Sequence, residues 1–282
     1  TRFETTIHAT DTTWPSDFNP SLAPGLIALA PFANLSGVDL SGLNLTNLRL
    51  QNANLTGARL VGSDLSKTEL ANAVLTKADL TNAILVGTQL QQTKLDEVLL
   101  SGANLQDADL TRADLLKTNL SGVSLIGATL EGINLTEANL QNADLSGAKL
   151  QDADFTKADL RGASLVGADL RNATLATANL SWTDMRKVNL VGARLFAQDP
   201  YDSSALVGVQ MQGALIGAEA NLRGVFFYFC DLSGANLAGA NLSGNRLIGS
   251  KLVNANLSGA NLSGADLSGV VISRANLSGA NL

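Results

Sequence analysis

From Leu35 to Leu195 a leucine stands at every fifth position, with Phe155 and Met185 the only exceptions among 33 successive sites. Two residues before it comes a small residue, usually alanine, and the unit reads Ala-Asn/Asp-Leu-Ser/Thr-Gly, as in Ala53-Asn54-Leu55-Thr56-Gly57. Neither regular element accommodates that period. In an α-helix, at about 100° per residue, a five-residue step advances by about 140° and smears leucine round the whole cylinder. In a strand, with its period of two, successive leucines would alternate between faces. A chain that turns a corner every five residues, coil upon coil, keeps all of them inside.

The charges give the number of sides per coil. The residue two after each central leucine supplies Lys77, Glu97, Lys117, Glu137 and Lys157, so the sign alternates at every step of 20 residues, whereas steps of 15 or 25 from Lys77 meet Gln92 or Gly102. If 20 residues make one coil, these side chains stack at strand spacing, about 4.8 Å, each between opposite charges. The same step gathers Gly42, Gly62, Asn82, Gly102, Gly122, Asn142 and Gly162 on another corner. Glycine and asparagine tolerate the positive φ of tight turns. The reading is therefore an all-β stack of four-sided coils with a leucine core. Composition agrees, since aromatic residues are only 4% of the chain and cannot fill a core.

The Ala-Asn/Asp-Leu unit resembles the signature of the pentapeptide-repeat family, and the match runs over residues 33–282. The resemblance implies a right-handed quadrilateral β-helix; spacing gives the square section but not the hand. Central sites number 49, of which 43 are leucine, enough for about twelve coils in a single elongated domain.

Regularity is lost once, between Ala197 and Ala220. Gln198 to Ser203 interrupt the count and read as a loop projecting from a corner. Units centred on Leu206, Met211 and Ile216 follow, and one extra residue near Glu219 reads as a bulge. Seven of the twelve aromatic residues fall after Phe155: Trp182, Phe196, Tyr201, Phe226, Phe227, Tyr228 and Phe229. Phe227 takes a central inward site and Cys230 the small inward site of the next unit, so Phe226, Tyr228 and Phe229 should point outward. With the loop placed there, Trp182 and Phe229 are expected on one lateral edge, two coils apart. Two readings of these aromatics stand. Pro200 and Tyr201 fold down and bury the rings, or Trp182, Phe196, Tyr201, Phe226, Tyr228 and Phe229 form an exposed patch that binds a protein partner.

The ends differ. Residues 1–32 lack the repeat, carry four of the five prolines together with Phe3, Trp14 and Phe18, and read as a cap on the first coil. The sequence stops inside a unit at Ala280-Asn281-Leu282, which suggests either further sequence or end-to-end self-association through the last coil.

Several function classes recede. A filled rod offers no obvious pocket in which unlike catalytic residues converge, so an enzyme is not expected. The pairs Asp107/Asp109 and Asp152/Asp154 fall at outward polar positions. One histidine, His8, and one cysteine, Cys230, cannot build a His- or Cys-ligated metal site, and no cofactor or metal is expected. Net charge is -6, without a basic nucleic-acid footprint, so no direct nucleic-acid contact is expected. The longest apolar stretch, 22–32, holds Pro24, Gly25 and Pro31 and falls short of the roughly 20 residues that cross a bilayer. Any membrane association would come through sequence outside this chain, and the compartment is left open.

The reading is a non-enzymatic scaffold presenting its outward ladders and the aromatic break to another macromolecule. The nearly uniform leucine column resembles cyanobacterial and plant-lumen members, among which one relative with membrane-spanning segments takes part in localising heterocyst glycolipids. The resemblance also permits a DNA mimic that binds a type II topoisomerase, gyrase, as the quinolone-resistance members do. This sequence departs from those in its leucine-rich centres, in lacking a visible C-terminal dimerisation helix, and in a final stretch, 220–282, that is net positive.

Overall fold

A leucine every fifth residue stays inside only if each unit is one side of a closed turn, and a computed structural model of the chain shows four such sides per turn. It describes residues 6–9, 26–191, 193–195, 211, 214, 216, 222 and 225–282. Parallel bridges join residues 20 apart along the rod, from Asn34 with Asn54 to Asn261 with Asn281. On each side one amide reaches up and another down. Leu35 N–H donates to the Asn54 carbonyl at 2.7 Å, and Asn54 N–H donates to the Ala33 carbonyl at 2.9 Å. Four sides follow: side one carries centres Leu35, Leu55 and Leu75, side two Leu40, Leu60 and Leu80, side three Leu45, Leu65 and Leu85, side four Leu50, Leu70 and Leu90.

The central column is buried from Leu35 to Leu262, with Phe155, Met185 and Phe227 as larger occupants. Burying each leucine is worth roughly 1.5–3 kcal/mol, which makes this column the main source of stability. Beside it lie the small inward residues, mostly alanine, in the same buried cluster. Where a hydroxyl replaces alanine it is buried, and all but Thr118 among those described return the proton to the backbone: Thr68 Oγ1 donates to the Leu45 carbonyl and Ser63 Oγ to the Leu60 carbonyl, both at 2.7 Å.

The consensus has a local cause in each turn. The Asn or Asp before the leucine accepts from the backbone amide two residues on, and from the Ser or Thr hydroxyl there, as Asp64 does from Ser66 N–H at 2.9 Å and Oγ at 2.6 Å. Such Asx turns satisfy the corner's orphan amide. The next residue carries positive φ at every described corner of the stack. Glycine and asparagine do so, as expected, but so do Lys77 (φ 61°), Trp182 (φ 63°) and Phe229 (φ 54°). The acidic pairs resolve accordingly: Asp109 and Asp154 cap turns, while Asp107 and Asp152 sit at corners.

The charged corner forms for three of its four steps. Lys77–Glu97 closes at 3.8 Å, Lys117–Glu137 at 3.4 Å and Glu137–Lys157 at 3.5 Å. Among the described residues Glu97 and Lys117 make no ion pair.

The two described strands of the N-terminal segment keep the 20-residue period of the rod although the segment lacks the five-residue leucine repeat. Strand β1 (Thr6–Ala9) pairs in parallel with β2 (Leu26–Leu29), Thr6 with Leu26 through Ala9 with Leu29, the same 20-residue step. At the other end Leu267, Ile272 and Leu277 are half-buried and Leu282 is exposed.

Arg194 pairs in parallel with Phe226, so this coil holds twelve residues more than its neighbours. Met211, Ile216 and Leu222, all buried, complete its sides. Met211 N–H donates to the Asp231 carbonyl and Ile216 N–H to the Asn236 carbonyl, steps one residue longer than usual, which locates one extra residue between Ile216 and Leu222 and the other eleven between Leu195 and Met211. The expected loop 198–203, the site at Leu206 and the bulge near residue 219 lie outside the described residues. The longer insertion changes the register. Phe229 stands on the corner column of Lys157 and Thr177, whereas Trp182 stands on the next column, above Asn142 and Gly162. The single edge expected for Trp182 and Phe229 is therefore not formed.

Candidate interaction surface

In Phe226-Phe227-Tyr228-Phe229 the side chains alternate across side one of the rod. Phe227 fills the core, and Phe226, Tyr228 and Phe229 face out, as their spacing implies. Phe226 and Tyr228 stack with ring centroids 5.8 Å apart and planes at 18°. One coil further on, at the position equivalent to Phe226, stands Arg246. Its guanidinium lies 5.5 Å from the Phe226 centroid, and its Nη1 donates to the Tyr228 hydroxyl at 3.2 Å. A cation over an aromatic face contributes roughly 0.5–1 kcal/mol at an exposed site. The ring of Phe229 leans over Gly249 and stays 43% exposed; Phe226 is 37% exposed.

Four of the six aromatic candidates are thus located. Phe226 and Tyr228 stack, Phe229 stands at the corner that follows them, Trp182 stands apart on its own corner at 71% exposure, and Phe196 and Tyr201 lie outside the described residues. Arg246 was missed by the sequence reading, although a 20-residue step from Phe226 leads straight to it.

Electrostatics on the remaining faces are locally neutralised. In Asp159-Leu160-Arg161, Asp169-Leu170-Arg171 and Asp184-Met185-Arg186 the arginine forks onto the carboxylate two residues before it, with Nη2 donating at 2.6, 2.7 and 2.6 Å. The Arg161 fork, then the Arg161 amide and Gln141, hold the Asp159 carboxyl below the usual carboxylate range. Arg186 acts likewise on Asp184. A groove of about 380 Å³ on the fourth side is lined by both signs, with Arg112 beside Glu131 and Asp152. Among the described residues no group of His, Cys, Asp or Glu side chains could hold a metal ion, and no helix is long and apolar enough to cross a membrane.

The profile of pentapeptide repeats matches residues 33–70, 60–96, 118–156, 163–196, 218–247 and 250–282. Proteins of that type fold as right-handed quadrilateral β-helices, the hand that accompanies the square section seen here. Among solved structures, HetL, a pentapeptide repeat protein involved in heterocyst differentiation regulation from the cyanobacterium Nostoc, is 34% identical over 89% of this chain and 89% of its own, with a TM-score of 0.30. A pentapeptide repeat protein of the Arabidopsis thaliana thylakoid lumen is 28% identical over 38% of this chain and 68% of its own, TM-score 0.23. QnrB1, a plasmid-mediated fluoroquinolone resistance protein, is 17% identical over 70% of this chain and 89% of its own, TM-score 0.37. A search of curated proteins finds no match.

Proposed function

Since the chain belongs to the pentapeptide-repeat family, we propose that it is a non-enzymatic scaffold that binds a protein partner through the aromatic corner of Phe226, Tyr228 and Phe229 with Arg246. The observation that carries this reading is Phe229. It occupies a corner position with φ 54°, where a non-glycine backbone costs roughly 1–2 kcal/mol, and it keeps much of its ring in solvent. The column otherwise holds glycine, as at Gly249 and Gly269, or polar residues such as Lys157 and Thr177, so an exposed phenyl ring is the departure. Aromatic residues and arginine are enriched at protein interfaces, and tyrosine and arginine among the residues that dominate binding.

A rod forming the soluble part of a membrane-associated cyanobacterial protein would use the same corner. The topoisomerase reading needs a continuous acidic strip, and it draws less support from faces on which Asp159, Asp169 and Asp184 are each forked by arginine.

The test compares capture from the lysate and solubilised membranes of the source organism by the full chain and by Phe229→Gly, a substitution that the corner accepts. The proposal expects a defined protein retained by the parent and lost with Phe229→Gly at unchanged melting temperature. Equal retention by both forms overturns it. Inhibition of gyrase supercoiling at micromolar protein, equal in both forms, would favour the topoisomerase reading.

A further inference from the structure

Among the described residues the ladder between coils is interrupted at one place far from the insertion. One coil below it, Leu75, Lys77, Leu80 and Asn82 donate upward to Lys94, Asp96, Leu99 and Ser101 at 2.8–2.9 Å. One coil above, Leu115, Lys117, Leu120 and Gly122 donate to Asn134, Thr136, Asn139 and Gln141 at 2.7–3.0 Å. Between them the amides of Leu95, Glu97, Leu100 and Gly102 make no such bond among the described residues, nor does Asn119 N–H reach Val98. Bridges Asp79–Leu99 and Asn119–Asn139 form, but Leu99–Asn119 does not; at the start of side one the Lys94–Asp114 bridge persists, with Asp114 N–H donating to the Thr93 carbonyl at 3.3 Å.

Side chains report the same gap independently. Glu97 and Lys117 form the one unclosed step of the charged corner. Thr118 Oγ1 is buried without a partner, although Thr68 and Thr88 give their protons to the leucine carbonyl one coil below, Leu45 and Leu65, at 2.7 and 2.8 Å. For Thr118 the corresponding acceptor is Leu95. Its residue is 3% exposed, so water does not reach it freely.

The cause lies in the small inward sites of side two. Ala58 and Ala78 lie below and Ala138 and Ala158 above, but at the seam β-branched Val98 sits directly under β-branched Thr118. β-Branching alone does not open a ladder, since Thr88 stacks on Thr68 in side four with Leu70 N–H still bonded to the Gln89 carbonyl at 2.7 Å; what differs at the seam is Val98, which has no hydroxyl to give the backbone, beneath a Thr118 whose Oγ1 finds no acceptor. Sides three and four of the same coils remain joined, with Leu105 N–H to Ser124 at 2.8 Å and Leu110 N–H to Thr129 at 2.7 Å.

We propose that the rod carries a one-sided joint here: it bends by opening side two and the part of side one beyond the Lys94–Asp114 bridge, between 95–102 and 115–121, about the hydrogen-bonded sides three and four. Exposed Leu99 and Leu116 flank the opened corner. Bending at this seam swings the N-terminal coils relative to the coils that carry Phe226 and Phe229.

Hydrogen exchange resolved by residue tests the joint on the intact chain. Amides of Leu95, Glu97, Leu100, Gly102 and Asn119 should exchange roughly 100-fold faster than those of Leu75, Lys77, Leu80 and Asn82. Val98→Ala with Thr118→Ala, which restores the commonest occupant, should slow the first group about 10-fold or more and leave the second unchanged. Spin labels at Ser36→Cys and Thr156→Cys, one on either side of the seam, should give a broad distance distribution that narrows in the Val98→Ala/Thr118→Ala background. Equal protection of the two groups in the parent chain, fast exchange untouched by the double substitution, or identical distance distributions would each overturn the proposal.

Discussion

The ring of Phe229 lies over Gly249, one coil further on, so that a Cβ built on Gly249 would stand 2.6 Å from Cε1 and 2.7 Å from Cδ1 of that ring. Gly259, at nearly the same φ, has nothing within 4 Å of its virtual Cβ. Both positions penalise alanine for its left-handed backbone, but only Gly249→Ala also displaces an aromatic ring. Gly249→Ala should therefore cost about 1–2 kcal/mol more than Gly259→Ala. Adding Phe229→Gly should remove the difference. Thermal melts of the four variants make a double-mutant cycle.

The leucine column and the outward positions should respond very differently. Leu145, buried mid-rod, is expected to cost about 2–5 kcal/mol on replacement by alanine. Ile84, exposed on side three, should change stability by no more than about 0.5 kcal/mol as Ile84→Thr. Denaturant titration of the two variants checks both, and similar losses would refute the inward assignment of the five-residue period.

Stability should fall in acid from the turn-capping carboxylates. Hydrogen bonds from the Ser66 hydroxyl and then the Ser66 amide hold Asp64 below the ordinary carboxylate value, and Ser41 and Ser268 act in the same way on Asp39 and Asp266. A carboxylate with a depressed folded pKa contributes fully above its unfolded value, near 4, and loses that contribution as pH falls through the folded value. The melting temperature should thus be level from about pH 7 to pH 5 and fall below about pH 4. Asp64→Asn keeps the acceptor, as Asn44 and Asn54 do. It should reduce the acid sensitivity without losing the turn, which melts at pH 7 and pH 3 would show.

Much of this architecture was legible because one residue type at one spacing dictates it. Leu55, Leu60, Leu65 and Leu70 cannot share an interior unless the chain closes in four steps, and the alternation of Lys77, Glu97, Lys117 and Glu137 fixed the length of the turn. What escaped the reading was whatever broke the pattern. The insertion contains Leu206, whose spacing imitates a repeat, so seven inserted residues were inferred where the Arg194–Phe226 pairing requires twelve. That miscount misplaced Trp182 relative to Phe229. Arg246 was overlooked because its role depends on stacking across coils and not on neighbours in sequence. The seam at Val98 and Thr118 follows from side-chain identity at sites that a consensus reads simply as small. β1 and β2 keep the 20-residue step through backbone pairing, with no leucine at every fifth position to announce it.

The account rests on a single square stack that continues through the inserted coil and brings Phe226 and Phe229 onto the side that begins at Leu35. Engineered cysteine pairs measure that register directly, since a disulfide forms only where Cα atoms lie about 4.4–6.8 Å apart. Under mild oxidation Arg194→Cys with Phe226→Cys should crosslink as readily as Asp154→Cys with Thr174→Cys, a pair bridged within the regular rod. Arg194→Cys with Asp231→Cys, which the structure sets on adjacent sides, should not. Crosslinking of 194 to 231 in preference to 226 would contradict the register, and with it the placement of the aromatic corner.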